Sequence, residues 1–109
     1  MFVVATNPTF NHTVKVLVPV DGGHEEQTFK TTFRVLPSDR ESAFDLQTVD
    51  GSNDFLRAIV VDMSELEDGN GGTVAYNDRV RDQLLALPFI RTALTKTYFA
   101  AIGKATEGN

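Results

Sequence analysis

From His12 to Val20 hydrophobic and polar positions alternate, with Val14, Val16, Val18 and Val20 on one face and Thr13, Lys15 and Leu17 on the other. A repeat of two is that of an extended strand, whose successive side chains point to opposite sides of a sheet. Asp21, Gly22 and Gly23 supply turn residues that tolerate positive φ, and alternation then resumes with Phe29, Thr31, Phe33 and Val35 opposite Lys30, Thr32 and Arg34. The pattern predicts a β-hairpin over residues 13–20 and 27–36, with Val16 and Phe33 buried. Pro19 has no N–H for a ladder, so the first strand is expected to end there or to run along a sheet edge. Phe2 to Val4 reads as a further short strand, interrupted by Asn7-Pro8.

Beyond Val35 the period changes. Ser38 followed by Glu41 has the spacing of a capping box and predicts a short helix that buries Ala43, Phe44 and Leu46 before Asp50-Gly51 stops it. Ser52 or Asn53 is a candidate cap for a second helix, in which Phe55, Leu56, Ile59, Val60 and Met63 span an arc of about 140° at 100° per residue. The run Asp68-Gly69-Asn70-Gly71-Gly72 cannot stay helical. Asn77 is the expected cap of a third helix with Val80, Leu84 and Leu85 inward, and Pro88 suits the first position of a fourth carrying Ile90, Ala93, Leu94 and Ala101. Strands followed by helices is an α+β order, with an N-terminal hairpin packed on three or four helices. The expected organisation is one domain over 1–109, strand-rich in 1–36 and helical in 38–103, ending in a flexible tail from Ala105 to Asn109.

Composition narrows the function. The chain has 109 residues and 41% hydrophobic content, enough for one core without metals or disulfides. It contains no cysteine, which excludes disulfides, thiolate metal sites and thiol catalysis. The net charge of −5 argues against a nucleic-acid surface. Residues 39–68 hold nine acids and two bases, whereas residues 69–109 hold three acids and five bases. These complementary segments suggest weak head-to-tail association between copies. With neither a basic leader nor an apolar run long enough for a bilayer, a cytoplasmic, membrane-free protein is expected.

No catalytic spacing survives inspection. His12 and His24 are the two histidines, and neither lies in a nucleophile or zinc motif. His24 beside Glu25 and Glu26 reads as a polar turn. Aligning Gly69 to the invariant glycine of a calcium loop places Leu66 and Ala75 where oxygen ligands are required, so that comparison fails. The same glycines lack the spacing and lysine of a phosphate loop. The expectation is a non-enzyme without metal or cofactor.

The order of features from Ser52 to Ala101 resembles the tail assembly chaperones of long-tailed bacteriophages and prophages. The residues that carry the resemblance are Phe55-Leu56-Arg57-Ala58-Ile59-Val60-Val61, Leu66-Glu67-Asp68-Gly69-Asn70, Val74-Ala75-Tyr76-Asn77, Asp82-Gln83-Leu84-Leu85-Ala86-Leu87-Pro88, Arg91-Thr92-Ala93-Leu94 and Tyr98-Phe99-Ala100-Ala101. Many members carry a Trp where this chain has Met63. The resemblance implies a helper that binds the tape-measure protein and tail-tube subunits in the host bacterial cytoplasm and is absent from the mature virion. A permanent structural component of the tail, or a small ligand-binding domain, are the alternative readings.

The expected partner-binding residues are Tyr98, Phe99 and Ile102. With Pro88 at 0° on a helical wheel, the apolar arc lies at roughly 100–240°. Tyr98 sits at its margin, about 280°, while Phe99 at about 20° and Ile102 at about 320° fall among Arg91, Thr92 and Thr95.

Overall fold

The computed structural model describes residues 1–107, with side chains through Gly103. It is an α+β fold in which an antiparallel hairpin leads into four helices. Strand β1 (Thr9–Val20) pairs with β2 (Gly23–Arg34) from Thr9↔Arg34 to Val20↔Gly23, leaving Asp21 and Gly22 to turn the chain. Gly22 has φ 79°, where a Cβ would be strained. Both strands begin four residues before the predicted bounds, whereas β2 ends at Arg34, two residues short of the predicted 36, and Pro19 is accommodated because β1 is an edge strand.

Helix α1 (Ser38–Glu41) is a single turn, and α2 runs Val49–Ile59. The chain then forms a third strand, β3 (Val60–Ser64), on the free side of β2. Helices α3 (Asp78–Leu85) and α4 (Pro88–Glu107) complete the order. Val14 and Val16 of β1, Phe29 and Phe33 of β2, Phe55, Leu56 and Ile59 of α2, and Leu85, Ile90 and Leu94 of α3 and α4 form one buried apolar cluster. The opposite face of the sheet carries the exposed Thr13, Lys15 and Lys30 and the half-buried Thr32.

Several expectations are corrected. Phe2 to Val4 joins no strand and is exposed. Ser38 makes no side-chain cap; Pro37 precedes α1, which ends before Ala43 and Leu46, both exposed. The cap of α2 is Thr48, whose Oγ1 accepts the Gly51 N–H at 3.0 Å, and not Ser52 or Asn53. Gly51 lies in the first turn of α2 instead of stopping a helix, and glycine is required there because a Cβ would run into the Asp45 carbonyl. Residues 38–103 are therefore not wholly helical: the second helix ends at Ile59, and Val60 and Met63 bury their side chains from a strand. The caps of the later helices agree with the sequence. Asn77 accepts the Val80 N–H at 2.9 Å, and Pro88 opens α4. That helix continues through Ala105 to Glu107, and Gly108 and Asn109 of the expected tail lie outside the described residues.

Candidate functional site

The residues expected to meet a partner all lie on α4, and the structure separates them. Tyr98 is fully buried, its ring against Phe10, Phe33 and Phe55 and its hydroxyl accepting the Leu36 N–H at 3.1 Å. It presents no surface to a partner, which corrects its assignment. A bulky aromatic at the edge of the apolar arc reaches sideways into the hairpin, and its oxygen satisfies a buried donor that would otherwise be orphaned. Phe99 is half-buried and stacks on Phe55, with centroids 5.6 Å apart and planes 4° from parallel. Ile102 is 40% exposed.

Phe99 forms part of a shallow groove of about 450 Å³ between α4 and the turn ahead of α2. Leu46 faces it across the groove, and Arg91 and Lys96 supply positive charge. Arg91 also donates to the Leu85 carbonyl at 2.7 Å, which holds the end of α3 against α4.

A second groove, about 720 Å³, lies between the hairpin, the loop after β3 and the α3–α4 corner. Its floor is Val16, Val18 and Phe29 from the hairpin with Leu66, Leu87 and Phe89 from the loop and the corner. Glu65, Glu67 and Asp68 stand on one rim. This groove exists because the hairpin is longer than the helices that cover it. The apolar alternation of β1 continues to Val18, which is half-buried, and to Val20, which is exposed. Sequence reasoning assigned Val18 to the core face but did not single out the groove, since its walls come from four separate segments. The signal available was an apolar alternation running farther than one layer of helix can cover.

The glycine-rich loop is a small closed turn. Glu67 bridges to Thr73, the Val74 N–H bonds to the Leu66 carbonyl, and the Asp68 N–H bonds to the Gly72 carbonyl. The Asp68 Oδ1 accepts the N–H groups of Asn70 and Gly72, and these donors hold its carboxyl below the usual carboxylate range. The acid at this position organises its own turn. On α3, Asp82 accepts from Arg57 and Arg81 at 3.1 and 3.2 Å, linking α2 to α3, and both guanidiniums lower its pKa.

His12 directs Nδ1 to the Thr13 carbonyl at 2.7 Å on the edge strand, and His24 sits at the exposed hairpin tip. Among the described residues no cluster of three or more His, Asp or Glu side chains is placed to hold a metal ion. No described helix is long and apolar enough to cross a membrane. The chain matches no family model, no curated protein and no solved structure.

Proposed function

We propose that the protein is a tail assembly chaperone of a long-tailed bacteriophage or prophage, which binds the tape-measure protein and tail-tube subunits in the host bacterial cytoplasm and leaves before the tail is complete. The observation that carries this reading is the order of features from Ser52 to Ala101: an amphipathic helix, an acidic glycine turn, an aromatic-polar cap at Tyr76-Asn77, a helix, a proline and a final helix. The two grooves support it. A small domain with a groove of about 450 Å³ that sets Leu46 and Phe99 among mostly polar residues, and a second groove of about 720 Å³ with an apolar floor, has places to shelter the apolar stripes of an unassembled helical client. Binding of this kind acts by mass action, holding the client only while it lacks its final neighbours. Weak association between copies would let several line one long client.

The test is co-expression with the tape-measure protein of the phage or prophage that carries the gene. The client is expected to stay in solution with the chaperone and to precipitate without it, and purified virions are expected to lack the chaperone by mass spectrometry. Stoichiometric recovery from virions would replace this reading with that of a permanent tail component.

A further inference from the structure

We propose that the groove between the hairpin and the α3–α4 corner is a docking site for a cationic amphipathic helix of a partner protein. The floor is apolar and belongs to several elements at once: Val16 and Val18 from β1, Phe29 from β2, Leu66 from the loop, Leu87 and Phe89 from the corner. Leu87 is 40% exposed, and Val18, Leu66 and Phe89 are half-buried, so the floor is incompletely covered by the chain itself. At about 720 Å³ the channel takes several large side chains at once, as the i, i+3, i+4, i+7 stripe of a helix would present them.

Charge selects the occupant. Glu65, Glu67 and Asp68 line one rim, and among the described residues no Lys or Arg lines the groove. Glu25 pairs with Val18 across the hairpin, which puts it on the same face of the sheet at the outer end of the channel. Lys30 reaches Glu65 at 3.8 Å but springs from the opposite face of β2, leaving Glu67 and Asp68 to meet incoming charge. An apolar channel edged by carboxylates favours a stripe of leucine-like residues flanked by Lys or Arg and repels one flanked by Glu. A helix fits a channel whose floor is built of side chains on the face of the sheet, whereas an added strand would pair along the outer edge of β1. The assignment depends on the chaperone reading only for the identity of the client.

The probe is a peptide of roughly 18 residues, long enough to approach helix formation, with a leucine stripe flanked by lysines. Its twin carries glutamates in place of the lysines. Titration calorimetry on the full chain is expected to show binding of the lysine peptide that weakens with salt, and binding of the twin weaker by about tenfold or more. Glu67→Lys and Leu87→Ser, both at exposed positions, are each expected to lower affinity for the lysine peptide about tenfold with unchanged melting temperature. Lys15→Glu on the far face of the sheet is the control and is expected to bind as the unsubstituted chain does. Equal binding of the two peptides, or unaltered binding by Glu67→Lys and Leu87→Ser, overturns the proposal. So does sedimentation showing an oligomer that Leu87→Ser returns to monomer, since the occupant is then a second copy. Co-expression with the tape-measure protein separates this proposal from the chaperone reading. Peptide binding in the groove without client rescue leaves the site standing and removes the chaperone, whereas rescue undiminished by Glu67→Lys and Leu87→Ser keeps the chaperone and removes the site.

Discussion

The Tyr98 hydroxyl accepts the backbone N–H of Leu36 at 3.1 Å, joining residues 62 apart in sequence at the point where β2 leaves the sheet. Both groups are buried, so the bond satisfies a donor that water does not reach. Tyr98→Phe keeps the ring contacts and strands that N–H, and the expected loss is about 1–3 kcal/mol in urea denaturation. Tyr98→Ala also opens a cavity and should cost about 3–5 kcal/mol. No loss for Tyr98→Phe would mean that water reaches Leu36. Burial raises the hydroxyl's pKa above its ordinary value of 10.0 in the folded chain. The corresponding stability is complete below pH 10.0 and declines as pH rises through the folded value.

Phe99 and Ile102 should part company on substitution. Phe99→Ser removes a ring stacked on buried Phe55 and should cost about 1–3 kcal/mol. Ile102→Ser removes an exposed side chain and should stay within about 0.5 kcal/mol. Thermal melts of the two variants measure the difference. Lost client capture by Ile102→Ser would therefore report on binding, whereas lost capture by Phe99→Ser would mix binding with folding.

Asp68 should make the glycine turn sensitive to acid. Its folded pKa lies below the ordinary 3.8 because the Gly72 and Asn70 N–H groups favour the carboxylate. A depressed folded value gives stability that is complete above pH 3.8 and lost as pH falls through the folded value. Melting temperature should fall across that interval, and Asp68→Asn should flatten the fall. The protection of the Asn70 and Gly72 amides, relative to their intrinsic exchange at each pH, should fall over the same interval, and protection unchanged across it would remove the role.

Removing residues 1–6 should leave the fold intact, since Phe2, Val3 and Val4 are all more than 80% exposed. The expected change in melting temperature is under about 2 °C. A drop of several degrees would mean that the segment packs on the core.

The hairpin was legible because strict alternation has one physical meaning, and Val14, Val16, Phe29 and Phe33 are buried as that alternation predicts. Strand β3 was not legible, and its ladder explains why. Thr32 pairs with Asp62 and Phe33 with Val60, so Val61 is an extra residue at a bulge. The bulge makes two successive residues, Val61 and Asp62, face outward, and the buried Val60 and Met63 are left three apart. Three-residue spacing directly after Phe55, Leu56 and Ile59 prolongs the helical pattern. Asn77 and Pro88 were recognisable because capping chemistry is local; Thr48 uses equally local bonds to Asp45 and Gly51, but Asp50-Gly51 directly after it reads as a helix stop. Within the candidate site, the wheel placed Phe99 and Ile102 off the main apolar arc but could not show that Tyr98 reaches across to Leu36. A helical wheel contains nothing about the neighbouring sheet.

The packing of α4 against β1, with Tyr98 stacked on Phe10, also sets a timetable for synthesis. Ribosomes add about 5–20 residues per second, so the hairpin emerges several seconds before Tyr98 has been translated. Through that interval Val14, Val16 and Phe33 have no helix α4 to cover them, and the nascent hairpin carries a bare apolar face. Core closure must wait for the late contacts between α4 and β1, and long-range contacts of this kind slow folding. A ribosome stalled before Tyr98 should therefore hold a protease-sensitive nascent chain, whereas one stalled with α4 fully outside the exit tunnel should hold a resistant one.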